Sequence, residues 1–148
     1  MKKILKSEKE MDKFASSVAK KIKPGDVLAL KGDLGSGKTT FTKGLARAMG
    51  IKKSIQSPTF VLLRPYDVGK KIAKEKCIKM LVHVDAYRID EPDELLDIGL
   101  VEFINDPASV VVIEWADKIK KILPRGRTKW IKFKLGAALN ERIVETKN

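Results

Sequence analysis

A single cysteine, Cys77, stands in the 148 residues of this chain. No internal disulfide framework can be built from it, and that count fits a reducing compartment, so a cytoplasmic setting is expected. Long apolar runs are missing as well: nothing approaches the roughly 18 residues that a membrane-spanning helix needs. The opening stretch MKKILKSEKEMD turns charged before an export-type apolar segment could form. Repeats, low-complexity tracts and linker-like segments are absent. With the length, this points to one domain over residues 1–148, long enough to bury a core and too short for a second catalytic domain. Acidic residues are the minority, 19 against 31 Lys and Arg, and the formal charge of +12 allows contact with a polyanion such as nucleic acid without requiring it. The lysine pairs, among them Lys20/Lys21, Lys52/Lys53 and Lys70/Lys71, carry no interleaved aromatics, and solvated surface is their plain reading.

What is present is an alternation of apolar periods. SEKEMDKFASSVAKKI places Met11, Phe14, Ala15, Val18, Ala19 and Ile22 at helical spacing, with Ser7 as a cap and Glu10 three residues on. After the turn KPGD, VLALKG is a nearly continuous apolar run, as in a strand buried on both faces. TTFTKGLARAMG predicts a helix with Phe41, Leu45, Ala48 and Met49 inward and Gly50 as its stop. SPTFVLLRPY and KMLVHVDAYRI read as strands, PDELLDIGLVEFI as one or two short helices, and SVVVIEWA as a central strand. DKIKKIL reads as a short helix, TKWIKFKLG alternates like an edge strand with one wet face, and ERIVETK pairs beside it. The expected fold class is α/β: a three-layer, P-loop NTPase-like fold whose mixed, mainly parallel central sheet carries antiparallel edge strands.

Between the first buried strand and the helix after it lies KGDLGSGKTTF. Gly32, Gly37, Lys38 and Thr39 meet the GxxxxGKT pattern in its required context of strand before and helix after. Glycines let the backbone curl with its N–H groups inward, making an anion nest at a helix N-terminus. Lys38 supplies a point charge for terminal phosphates, and the Thr39 hydroxyl can ligate magnesium. A nucleoside triphosphate is the expected ligand, cradled by Gly32, Asp33, Leu34, Gly35, Ser36, Gly37, Lys38, Thr39 and Thr40.

Chemistry on a triphosphate also needs carboxylates at the ends of neighbouring strands, to hold magnesium and orient water or an acceptor. LVHVD ends at Asp85 and SVVVIE at Glu114; four apolar residues lead straight into Glu114, making it the better candidate for the metal. A solvated strand end or a helix cap is the bland alternative for either. Thr59, in the proline-shaped turn QSPTF, is placed as a switch residue that senses a terminal phosphate would be. His83 shares a strand face with Asp85 and is read as a buried, hydrogen-bonded side chain ahead of a catalytic one. Trp115 is read as core ahead of a nucleotide platform.

GDLGSGKTTFTKGLARAMG, then SPTF, HVDAYRID with DELLDIG, VVVIEWADKI and LP, together resemble the bacterial TsaE (YjeE) family, P-loop ATPases of tRNA threonylcarbamoyladenosine synthesis. The resemblance runs from the first helix to the last strand, and the ordered set SPTF, HxDxYR and IEW is its specific part. It implies ATP and Mg2+ as ligands. It implies as partners a threonylcarbamoyltransferase subunit (TsaD-like) and its paralogue (TsaB-like), which modify the adenosine next to the anticodon. By resemblance, Thr39 and Glu114 take the magnesium positions, Lys38 the phosphate lysine, Asp85 the acid on which hydrolysis depends, Thr59 the switch threonine, Trp115 the tryptophan near the nucleotide, and Glu8 a position that helps hold it. The lysine-rich DVGKKIAKEKCIK and the LPRGRTK segment depart from the family pattern and leave room for direct tRNA contact.

Two other readings stay open on sequence. A small-molecule kinase would share the loop, although no acceptor site is legible and RGR at 125–127 is the sole candidate for an arginine-bearing lid. A nucleotide-dependent tRNA- or protein-binding module would suit the charge, and the two well-placed carboxylates oppose it. A GTPase is disfavoured because no NKxD motif follows the site.

Overall fold

The computed structural model describes residues 1–56 and 62–147. Its frame is one sheet of seven strands: β1 (Lys2–Leu5), β2 (Val27–Lys31), β3 (Leu63–Asp67), β4 (Met80–Asp85), β5 (Ser109–Glu114), β6 (Thr128–Leu135) and β7 (Arg142–Lys147). Their spatial order is β1-β7-β6-β2-β5-β4-β3. The four central strands β6, β2, β5 and β4 run parallel. β7, β1 and β3 join antiparallel at the two flanks, as the mixed-sheet expectation holds.

The helices are α1 (Glu8–Lys21), α2 (Lys38–Ala48), α3 (Lys70–Lys76), α4 (Asp93–Asp97) and α5 (Leu100–Asn105), with a 3-10 turn over Ala116–Ile122. α1 begins where its sequence says it must, since Ser7 is extended and its hydroxyl accepts from the Glu10 N–H at 3.2 Å. The second half of the expected capping box is shifted by one residue: the Glu10 carboxylate accepts from the Lys6 N–H at 2.8 Å. α4 and α5 are two helices because Gly99 takes φ +88 between them.

Period 2 along the strands divides the core into two layers. Leu28, Leu30, Leu81, Val110 and Val112 pack with Met11 and Phe14 of α1 and Phe41 and Leu45 of α2. Val27, Ala29, Val82, Val84, Val111 and Ile113 face the other way, against Leu95, Leu100 and Ile104 of α4 and α5. Each fully buried aliphatic or aromatic side chain contributes about 1.5–3 kcal/mol. α1 and α2 come close because Gly44 leaves no room between them: a Cβ there would meet the Asp12 carboxylate at 2.7 Å and the Ala15 Cβ at 3.1 Å.

Two elements differ from the sequence reading. β6 is not an edge; it lies between β2 and β7, and β1 forms the outer boundary on that side. Its alternation comes from lysines reaching solvent around buried Ile131 and Phe133, which a strand beside the end of a sheet can do as readily as the last one. The lysine-rich segment contains a two-turn helix, α3, with no buried residue, so no apolar stripe announced it. The SPTFVLLRPY segment runs into the strand Leu63–Asp67, and residues 57–61, with Thr59, lie outside the described residues.

Candidate nucleotide-binding site

Parity along two strands gathers the acidic end of the site. In β5 the residues 110, 112 and 114 share one face, and in β4 the residues 81, 83 and 85 do, both toward α2. The parallel register pairs Asp85 with Glu114 and His83 with Val112. His83, one pleat repeat behind, therefore reaches Glu114 diagonally, its Nε2 lying 2.9 Å from the carboxylate Oε1. The other carboxylate oxygen, Oε2, accepts from the Thr39 hydroxyl at 2.9 Å. Glu114 is thus a buried carboxylate held on both oxygens, the state that burial of such a group requires. His83 Nδ1 is buried with no hydrogen-bond partner among the described residues. An ionised carboxylate can only accept, so the Nε2 N–H is the donor in this pair.

The loop between β2 and α2 is shaped by positive φ at Gly32 (+155), Gly35 (+74) and Gly37 (+101). Gly32 is required by a close approach, because a Cβ there would stand 2.4 Å from the Phe133 carbonyl oxygen of β6. Lys38, the first residue of α2, curls back over the loop and donates to the carbonyls of Gly32 at 2.6 Å and Asp33 at 2.8 Å. Its ammonium also lies 4.1 Å from the centroid of the Trp115 ring. Burial pushes the Lys38 ammonium below the ordinary lysine range, against the opposing pull of Glu114, Asp85, Asp33 and Asp117. Trp115 reaches this position from a left-handed backbone, φ +59, which costs a non-glycine residue about 1–2 kcal/mol. The ring packs on Tyr87 with centroids 5.0 Å apart.

These groups open on one cavity of about 670 Å³. Glu8, Leu34, Gly35, Gly37, Lys38, Thr39 and Thr40 line it, and so do Asp85, Glu114 and Trp115. Gly32, Asp33 and Ser36 do not; they shape the loop from behind, through the Phe133 approach, the carbonyls that hold Lys38 and a buried Ser36 hydroxyl. Asp85 accepts from the Tyr87 N–H at 2.9 Å, which fixes the turn bringing Tyr87 and Arg88 to the cavity. Sequence reasoning did not find Lys6, Ser7, Tyr87, Asn140 or Arg142 in the cavity wall. Arg142 at the start of β7 donates through Nε to the Gly35 carbonyl at 3.0 Å and through Nη1 to the carbonyls of Leu139 and Glu141. No motif marks it, since it stands more than a hundred positions from the loop it braces and arrives only through the β6–β7 pairing.

A glycine loop between a buried parallel strand and a helix, with a carboxylate on the adjoining strand facing the residue after the loop lysine, defines a P-loop, nucleotide-binding type of α/β protein. Comparison with known proteins narrows this. The family model described as threonylcarbamoyl adenosine biosynthesis protein TsaE matches residues 5–144, and the chain belongs to that family. A Bacillus subtilis (strain 168) protein named tRNA threonylcarbamoyladenosine biosynthesis protein TsaE is 42% identical over 118 residues, 80% of this chain and 68% of that one. A Borreliella burgdorferi protein of the same name is 35% identical over 141 residues, 95% of this chain and 94% of its own. Among solved structures, the crystal structure of Bacillus subtilis YdiB superposes with a TM-score of 0.76 at 32% identity, covering 99% of this chain and 83% of that one. No helix among the described residues is long and apolar enough to cross a membrane.

Proposed function

We propose that the chain acts as one P-loop ATPase domain in the cytoplasm. It binds ATP with magnesium at residues 32–40 and hydrolyses ATP to sustain the modification of tRNA adenosine by a threonylcarbamoyltransferase subunit (TsaD-like) and its paralogue (TsaB-like). The observation that carries this reading is the 2.9 Å contact of the Thr39 hydroxyl with Glu114, across a cavity that Lys38 and Asp85 also line.

The donor set suits magnesium, which takes one or two protein oxygens and completes its shell with water and phosphate. Among the described residues no group of three or more His, Cys, Asp or Glu gathers as a metal cage. Thr39 and Glu114 therefore fit an ion that enters with a nucleotide. Once bound, such an ion offsets charge on the terminal phosphates. Lys38 exchanges the Gly32 and Asp33 carbonyls for phosphate oxygens, so its buried ammonium stays satisfied. Asp85, paired in register with Glu114, helps position the attacking water or the metal. Thr59 senses the terminal phosphate, and Trp115 and Glu8 flank the nucleotide.

Turnover by the isolated chain should be slow. Arg142 already spends Nε and Nη1 on three carbonyls, a missing arginine finger costs about 10³ or more in rate, and the partner or Arg88 on the cavity wall has to complete the site. Leu34 and Tyr87, exposed on the cavity wall, and Leu139 beside its Asn140 offer apolar area where a partner could dock and complete the site.

The test is Mg2+-dependent ATP hydrolysis by the chain alone and then with both partner subunits and tRNA, using Lys38→Ala as the blank. Stimulation that vanishes in the blank is expected. Equal turnover with and without partners would remove the partner from the mechanism, and phosphoryl transfer to a small acceptor would make the protein a kinase.

A further inference from the structure

At the loop end, where β2, β4 and β5 finish, both signs of charge meet: Lys6, Lys38, Arg88 and Arg142 line the cavity beside Glu8, Asp85 and Glu114, and Lys31 pairs with Asp117. At the opposite end, where those strands begin, the chain collects lysine. α3 is tied there to the end of α1, since Lys76 Nζ donates to the Lys20 and Ile22 carbonyls at 2.8 and 3.2 Å. The Gly69 N–H donates to the Met49 carbonyl at 2.9 Å, and that bond draws in the segment after α2. Lys20, Lys21 and Lys23, then Lys52 and Lys53, then Lys70, Lys74 and Lys79 are all exposed on these joined segments. Asp67 and Glu75 are the exposed carboxylates among them, and Glu75 is already paired with Lys71.

A cleft of about 500 Å³ lies in this surface, with Lys52, Lys53 and Lys70 around Tyr66. Tyr66 is a core residue whose buried hydroxyl has no hydrogen-bond partner among the described residues.

We infer that this lysine pole is a second binding surface, for the phosphate backbone of a base-paired RNA stem. Three observations select that ligand. None of the large exposed apolar side chains among the described residues lies on these segments, so neither a protein anchor nor a membrane-inserting face is present. Among the described residues no exposed aromatic lies on these segments to stack on splayed bases, which sets single strands aside. Lysines, as point charges, neutralise phosphates without reading bases. The choice of RNA among polyanions rests on the proposed role in tRNA modification. The surface itself stands at the far end from the nucleotide cavity and needs no nucleotide.

The experiment is fluorescence anisotropy of an unmodified tRNA transcript titrated with the full-length, nucleotide-free protein over a series of KCl concentrations. The variants are K52E/K70E/K74E and the neutral K52Q/K70Q/K74Q, each checked by melting curve. Binding should weaken with salt, log K falling with a slope of about −0.9 for each phosphate neutralised. The glutamine variant should lose about 3 from that slope and roughly tenfold or more in affinity, with ATP binding unchanged. Wild-type affinity in both variants would overturn the assignment, as would binding to phosphatidylserine vesicles in place of tRNA. If ATP binds and tRNA does not, this inference alone fails. If tRNA binds at this pole and partner-stimulated hydrolysis is absent, only the ATPase reading fails.

Discussion

At the scale of single residues the site turns on Glu114, whose two oxygens are claimed by Thr39 and His83. Glu114→Ala should leave weak nucleotide binding and abolish Mg2+-dependent hydrolysis; wild-type turnover in that variant would remove Glu114 from the site. His83→Leu keeps a similar volume and deletes the donor, leaving one buried carboxylate oxygen unsatisfied. It should lower stability by about 1–3 kcal/mol in urea denaturation. It should also raise the magnesium concentration needed for half-maximal hydrolysis while metal-free nucleotide affinity holds. Much of this was legible: the loop motif, the two acids at strand ends and the shared face of His83 and Asp85 follow from period 2 and a fixed spacing. The bond from His83 to Glu114 was not legible. It depends on the relative register of two strands, and nothing within either strand encodes that.

At the scale of elements, Gly32 shows that a motif glycine can serve packing. It does not line the cavity, and its missing Cβ makes way for the β6 backbone. Gly32→Ala should therefore destabilise the fold by roughly 1–3 kcal/mol through overpacking, seen as a lower melting temperature without any nucleotide present. The entry to β5 is set by Asp106, which accepts from the Ala108 N–H at 2.9 Å and the Ser109 hydroxyl at 2.5 Å. Those bonds, the Ser109 one first, hold its carboxyl below the usual carboxylate value of 3.8. A depressed folded-state pKa gives stability that is present above the unfolded value and lost as pH falls through the folded one. The melting-temperature gap between wild type and Asp106→Ala should thus be full at neutral pH and close below about pH 4. Helices with an apolar stripe, α1 and α2, were readable from sequence. β1 and α3 were not, because β1 buries only Leu5 and α3 buries nothing, so neither leaves a periodic trace.

At the scale of the molecule, β1 closes one flank of the sheet. It pairs Lys2–Leu5 with Glu145–Arg142, and the Met1 carbonyl accepts from the Thr146 N–H at 2.8 Å. Removing residues 1–5 would bare the outer edge of β7 and unseat the strand that carries Arg142. Size-exclusion chromatography should then show concentration-dependent association, and the melting temperature should fall. The parallel centre and antiparallel edges followed from the class of fold, and the order of the strands did not. Nor did the β1 flank, since a four-residue strand at the start of the chain pairs with the last one across almost the full sequence separation.

The brace from Arg142 to Gly35 spans 107 positions. On the ribosome, the glycine loop emerges long before the residue that holds its tip, and β2 waits for both β5 and β6 before it has neighbours. A nucleotide therefore cannot template the growing chain. Any product that stops before β7 is a protein with the right loop sequence and no finished pocket. Capture on an immobilised triphosphate would separate completed chains from prematurely terminated ones, with Arg142 as the last residue inspected.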